Sequence, residues 1–191
     1  MPNNKIILGL VGEMAAGKST ATEYLKKKYG AVSFRFSDAL RDVLERLHVE
    51  NSRPNLQALS TFLRQQYGED LLSKVMALDV EQSSAPLIIT EGIRRPTDTV
   101  YLRKFSNFHI MALNAAERTR YERLTKRSEN ADDKSKTWEQ FQADGRAESE
   151  QKIKEIAVEA DFKIDNSGTV EQLHKQIDTI VKKLQSQLSF P

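Results

Sequence analysis

Apolar residues in this chain follow two spacings. Continuous runs, Ile6-Ile7-Leu8-Gly9-Leu10-Val11 and Leu87-Ile88-Ile89 leading into Thr90, read as strands buried on both faces of a parallel sheet. Residues 31–36 and 108–113 read as two more strands, and 162–165 as a short fifth. Between them the apolar positions recur at helical intervals. A helix over 20–29 is closed by Gly30, a residue suited to the left-handed turn past a helix end. Leu40, Val43, Leu44 and Leu47 form one helical face; Leu56, Leu59, Phe62 and Leu63 mark a second helix ending at Gly68; Leu71, Leu72, Val75 and Met76 mark a third. Asn114 with Glu117 predicts a capped helix start, and Thr137 with Gln140 opens a long helical stretch towards Ala160 in which Gly145 is a weak point. A last helix begins at Thr169 and carries the stripe Leu173, Ile177, Ile180, Val181, Leu184 and Leu188.

Strands alternating with helices from end to end predict an α/β fold of three layers around a five-stranded parallel sheet. The helices between the second and third strands exceed what one crossover needs, which suggests a helical insertion able to close over a second substrate. Residues 128–136 are polar and charged with no apolar anchor, and mobility is expected there. With 191 residues and no linker, repeat or low-complexity run, a single domain is expected. Lys and Arg total 29 against 27 Asp and Glu, a balance of +2 that argues against a nucleic-acid partner. The absence of cysteine excludes disulfides, thiolate metal sites and thiol catalysis, and His48, His109 and His174 lack metal-ligand spacing. No apolar run approaches a membrane span and no cleavage-site pattern follows the first strand, so a cytoplasmic protein is expected.

The chemistry is concentrated in Gly12-Glu13-Met14-Ala15-Ala16-Gly17-Lys18-Ser19, followed by Thr20, which fits the phosphate-binding P-loop pattern between a strand and a helix. Its glycines let the backbone curl so that successive N–H groups point inward at a helix N-terminus whose dipole favours negative charge. Gly12, Ala15, Ala16, Gly17, Lys18, Ser19 and Thr20 are therefore the expected nucleotide contacts, with Lys18 reaching the β- and γ-phosphates and Ser19 a ligand of Mg²⁺. ATP with Mg²⁺ is the implied cofactor.

Further short patterns, Ser37-Asp38-Ala39-Leu40-Arg41, Glu91-Gly92-Ile93-Arg94-Arg95, Arg123-Leu124 to Arg127, and Asp165-Asn166-Ser167-Gly168, stand in the same order as in P-loop nucleotide kinases. From Lys5 to Leu184 the chain resembles the nucleotide-kinase-like family related to adenylate kinase and dephospho-CoA kinase. The resemblance implies a P-loop kinase domain with its core at 1–37, 84–127 and 160–191, an acceptor-binding helical insertion at about 38–80 and a short lid at about 120–146. It makes Arg41 and one of Arg94 and Arg95 the grip on an acceptor phosphate, a role that suits the planar, permanently charged guanidinium. Glu91, where the family has Asp, would hold the Mg²⁺ shell through water. Arg120, Arg123 and Arg127 would form a cationic lid with Arg146 folding back towards the phosphates, and Asn166 and Gly168 would pack on the adenine. The bland alternatives are an N-cap at Ser37 or Asp38, exposed arginines opening a loop, a solvated charged helix, and a plain strand-to-helix turn.

Asp38 separates two acceptors. A nucleoside monophosphate presents an ionised oxygen and needs no base, whereas a sugar hydroxyl, as in dephospho-CoA, needs a carboxylate to take its proton. The paired arginine motifs favour the phosphate. The expectation is thus a kinase moving the γ-phosphate of Mg-ATP to a small nucleotide, with a dephospho-CoA kinase, and an ATPase switch or partner-binding module, as the alternatives. Monomer and homodimer are both open.

Overall fold

The computed structural model describes residues 5–126 and 133–188. Five strands, β1 (Ile6–Val11), β2 (Val32–Arg35), β3 (Leu87–Glu91), β4 (Phe108–Asn114) and β5 (Phe162–Asp165), form one sheet in the order β2-β3-β1-β4-β5. Every pairing is parallel, with Leu8 opposite both Ile89 and His109. Among the described residues eight α-helices connect and flank them: α1 (Lys18–Tyr29), α2 (Asp38–Arg46), α3 (Arg53–Tyr67), α4 (Leu71–Gln82), α5 (Glu117–Lys126), α6 (Trp138–Gly145), α7 (Glu148–Val158) and α8 (Val170–Leu188). Among the described residues, no helix is long and apolar enough to cross a membrane.

The two-residue period of a strand divides the core into two layers. Ile6, Leu8 and Leu10 of β1 face Ala21 and Leu25 of α1 and Leu173, Ile177, Val181 and Leu184 of α8. Ile7 and Val11 face the other way, onto Leu40 of α2, Leu72, Met76 and Val80 of α4, and Ile153 and Ile156 of α7. This accounts for the unbroken apolar run of β1, since both of its faces are covered. From central β1 the chain crosses first to the β2–β3 side and later to the β4–β5 side. The loop after β1 therefore opens at the point where strand order reverses, the crevice in which open α/β sheets bind ligands.

Several local expectations change in three dimensions. The stretch from Thr137 to Ala160 is two helices, because α6 stops at Gly145 and α7 restarts at Glu148. Asn114 does not cap α5: it is the last residue of β4, paired with Asp165, and the first helical turn instead closes on the Ala116 carbonyl. On α2 only Leu40 and Leu44 are buried, and Val43 (39% exposed) and Leu47 (62%) face outward, because the neighbouring helices cover a narrower stripe than the sequence offers. Of the polar 128–136 segment, residues 128–132 lie outside the described residues; at its last residue the Tyr121 hydroxyl donates to the Lys136 carbonyl, and Lys136 Nζ lies 2.6 Å from Asp144. Close to Lys136 in sequence, Trp138 stacks on Phe141, and Tyr121 meets Trp138 edge-on and Phe141 at a tilt.

Candidate active site

The loop between β1 and α1 is curled by two left-handed residues, Ala15 (φ 59°) and Gly17 (φ 101°). Such alternation turns successive amides towards one concavity. Gly17 is held to glycine twice over, by its φ and by the Asn166 side chain, whose Nδ2 would collide with any Cβ there. Gly12 is required by close approach, since a Cβ would lie 2.5 Å from the Leu113 carbonyl oxygen of β4. No side chain caps α1 and no acidic residue stands in its first turn, so its N-terminal amides are open to an anion. Ser19 and Thr20 are exposed in that turn. Lys18 Nζ folds over the loop to the carbonyls of Gly12 (2.5 Å) and Glu13 (3.0 Å).

Asn166 is buried and donates from Nδ2 to the Ala16 carbonyl at 2.9 Å, while its own N–H reaches the Asn114 carbonyl. Its side chain thus braces the phosphate loop from the β5 side. Arg123 points to this same region, donating to the Gly168 carbonyl at 3.3 Å with its other terminal nitrogen buried and without a hydrogen-bond partner. The arginine of α5 that meets the phosphate loop is Arg120, which reaches the Glu13 carboxylate (3.1 Å) and the Met14 carbonyl (3.3 Å) and lies over the Phe141 ring. Lys154 of α7 joins the same Glu13 oxygen at 3.5 Å, and Glu150, 9% exposed, accepts from Met14 N–H at 3.4 Å. A cleft of about 310 Å³ opens beside these groups, lined by Glu13, Arg120, Phe141, Arg146 and Lys154 among others. Arg146 is therefore on the same side as the phosphate loop; Arg127 lies outside the described residues.

At the end of β3, Glu91 stands opposite Arg35 of β2, 3.6 Å from its Nε, and its buried Oε1 has no hydrogen-bond partner. The Glu91 carboxylate, ion-paired with Arg35 but short of a hydrogen bond at Oε1, and the exposed Ser19 hydroxyl are both hard-oxygen groups of the kind Mg²⁺ takes. The turn that follows is organised by an ion pair. Asp98, 2% exposed, accepts from Arg64 Nη2 (2.8 Å) and from the backbone N–H groups of Arg94 (2.9 Å) and Arg95 (3.0 Å). Arg64 of α3 is itself buried and also donates to the Glu69 carbonyl. The two arginines of this turn then part: Arg95 pairs with Glu69 at 3.0 Å, whereas the exposed Arg94 side chain has no bond or ion pair among the described residues.

Arg41 is likewise exposed and unpaired among the described residues. Asp38 uses Oδ2 to accept the Arg35 N–H at 2.8 Å, clamping the end of β2, and Ser37 occupies the N-cap position without a side-chain bond. Burial, reinforced by the negative charges of Asp42 and Asp38, pushes the nearby Asp79 carboxyl above its usual range. Among the described residues no cluster of His, Asp and Glu has the makings of a self-contained metal site.

Sequence reasoning did not single out Glu13, Arg64, Asp98, Glu150 or Lys154. Glu13 falls in an unspecified position of the loop pattern, and the others act across long sequence separations. The one available signal was Arg64, set beside the apolar positions Leu59 and Leu63 of α3.

The chain is similar in sequence and fold to several known proteins. The UPF0200 protein of Methanocaldococcus jannaschii is 28% identical over 185 residues, covering 96% of this chain and 92% of the relative. That of Methanothermobacter thermautotrophicus is 25% identical, with 95% and 92% covered. Among solved structures, TT1252 from Thermus thermophilus superposes with a TM-score of 0.59 at 18% identity, covering 94% of this chain and 98% of the other. Shikimate kinase from Bacteroides thetaiotaomicron gives 0.57 at 17% identity, with 97% and 99% covered. A gluconokinase from Sinorhizobium meliloti gives 0.54 at 14% identity, with 98% and 97% covered. These likenesses establish the P-loop kinase fold. A family model described as an AAA domain matches residues 8–159, most of the length of the protein, and the chain belongs to that AAA domain family.

Proposed function

We propose that the protein is a phosphotransferase that moves the γ-phosphate of Mg-ATP to a small anionic acceptor, a nucleoside or deoxynucleoside monophosphate. The observation that carries the choice of acceptor is the pair of exposed arginines whose side chains are unpaired among the described residues, Arg41 after β2 and Arg94 after β3, at the same end of the sheet as the phosphate loop. An arginine fork without a carboxylate partner is the group that takes a phosphate monoester in two hydrogen bonds. Arg95, bound to Glu69, supports the turn from outside. Asp38 is committed through one oxygen to the backbone of Arg35, which suits a structural clamp better than a proton acceptor. In this reading the loop amides and Lys18 hold the phosphates, with the lysine exchanging its carbonyl partners for phosphate oxygens. Ser19, and Glu91 through water, hold Mg²⁺, which supplies charge neutralisation at the phosphate oxygens. Arg120 and Arg146 bring positive charge to the phosphate side, whereas Arg123, bound to the Gly168 carbonyl, serves the side of the β5 loop.

The test is ADP release from Mg-ATP against a panel of ribo- and deoxynucleoside monophosphates and dephospho-CoA, with Lys18→Ala as the blank. One or more monophosphates should raise the rate, and Arg94→Ala should raise the KM for that acceptor more than it lowers kcat. Stimulation by dephospho-CoA alone would move the acceptor to a hydroxyl and Asp38 to general base. Hydrolysis that no acceptor stimulates would make the protein an ATPase switch instead.

A further inference from the structure

The Glu150 carboxylate is nine-tenths buried, belongs to α7, and hydrogen-bonds to an amide of the phosphate loop itself, the Met14 N–H at 3.4 Å. A phosphate loop is built to receive anions on its amides, so a protein carboxylate on one of them is a competitor already in place. The pole of the loop it occupies is marked by Lys18. The lysine of a P-loop serves the β- and γ-phosphates, and here its Nζ rests against the carbonyls of Gly12 and Glu13, immediately before Met14. Glu150 thus stands at the terminal-phosphate pole. One helical turn further along α7, Lys154 is tied to Glu13 at 3.5 Å, so the helix is fastened to this pole at two points.

We infer that Glu150 is a specificity-determining residue that sets the preference between nucleoside di- and triphosphate: its carboxylate holds the amide at the terminal-phosphate pole and must leave Met14 when a γ-phosphate arrives. The inference rests on the reading of the loop as a nucleotide site and is independent of the acceptor. A diphosphate leaves this pole empty and tolerates the carboxylate. A triphosphate brings a further negative group to within a few ångströms of it, and both compete for one N–H. Even with the dielectric of bulk water, unit charges about 4 Å apart repel by enough to change affinity roughly fivefold, and with that of a protein surface by far more, so an effect of at least about tenfold is expected. Release of Glu150 also frees the start of α7, which follows directly on Arg146 at the cleft, so the arrival of the γ-phosphate is coupled to the cation that would close over it.

The experiment is isothermal titration of the whole protein with Mg-ADP and with a non-hydrolysable Mg-ATP analogue, at one salt concentration, for wild type, Glu150→Gln and Glu150→Ala, with Lys18→Ala as the site control. Both Glu150 variants should bind the triphosphate at least about tenfold more tightly than wild type while their affinity for ADP changes less than twofold. An unchanged ratio of the two affinities in either folded variant, or an equal gain for both nucleotides, overturns the inference and leaves the nucleotide site standing. If wild type binds neither nucleotide, the reading of the loop fails and the inference falls with it.

Discussion

The buried pair Arg64–Asp98 offers the sharpest test of how the site is supported. Its side chains are 7% and 3% exposed and meet at 2.8 Å, and Asp98 accepts from three donors: Arg64 and the backbone amides of Arg94 and Arg95. Asp98→Ala removes all three bonds and leaves the buried Arg64 guanidinium, whose Nε already lacks a hydrogen-bond partner, with Glu69 alone, through its carbonyl and its carboxylate 3.8 Å away. The two backbone amides belong to exposed residues and can turn to water, so the main cost is the loss of the buried partner charge, about 3 kcal/mol, the low end for a broken buried pair because Glu69 remains beside Arg64. For a chain of this length that is a fall in Tm of roughly 10 °C. Asp98→Asn, which keeps an acceptor and the shape, should cost about half as much. Because desolvating two ions offsets much of their attraction, Arg64→Met with Asp98→Asn should recover a large part of the Asp98→Ala loss. Urea unfolding of wild type, the Asp98→Ala, Asp98→Asn and Arg64→Met variants and the double variant measures these differences, and hydrogen exchange at the Arg94 and Arg95 amides reports the turn directly. An Asp98→Ala cost below about 1 kcal/mol, or a double variant as unstable as the sum of its parts, would refute the assignment of this pair as the brace of the acceptor-side turn.

Two further outcomes are expected. Ala15 holds φ 59° without being glycine, so Ala15→Gly should relieve about 1–2 kcal/mol of backbone strain against about 0.5–1 kcal/mol of added unfolded-chain entropy, leaving stability unchanged or slightly raised in a thermal melt; clear destabilisation would show that the Ala15 methyl contributes packing that outweighs the strain. On the far face, burial pushes the Asp178 carboxyl up, but hydrogen bonds from Lys28, Tyr29 and Tyr24 outweigh it and pull it down to about 2. A carboxyl depressed in the folded state stabilises fully above its unfolded pKa of about 4 and loses that contribution as pH falls towards 2. Asp178→Asn should therefore lower Tm at pH 7 and converge with wild type near pH 2; a constant gap across that range would remove the ionised clamp between α1 and α8.

The strand order follows from pattern only in part. The apolar run of β1, the phosphate-loop glycines and the reciprocal caps at Thr137 and Gln140 are local, and each required only neighbours in sequence. The alternation of strand and helix was enough to predict five parallel strands, because a strand apolar on both faces has no other stable setting. Where the chemistry sits was only partly legible. The P-loop could be read because its function resides in backbone geometry that a short pattern encodes. Glu150 on Met14, Arg120 on Glu13 and Asn166 on Ala16 join residues separated by 136, 107 and 150 positions, and no local spacing announces them. The same limit explains Arg94 and Arg95. Adjacent and chemically identical in sequence, they were told apart by tertiary structure, which set Glu69 beside one and left the other free of any partner among the described residues. Sequence alone determined the layers, the phosphate loop and its helix, since short-range backbone preferences and hydrophobic periodicity suffice for these. Only the tertiary structure decided which charges meet, because burial and pairing of ionised groups depend on what the rest of the chain brings to within a few ångströms.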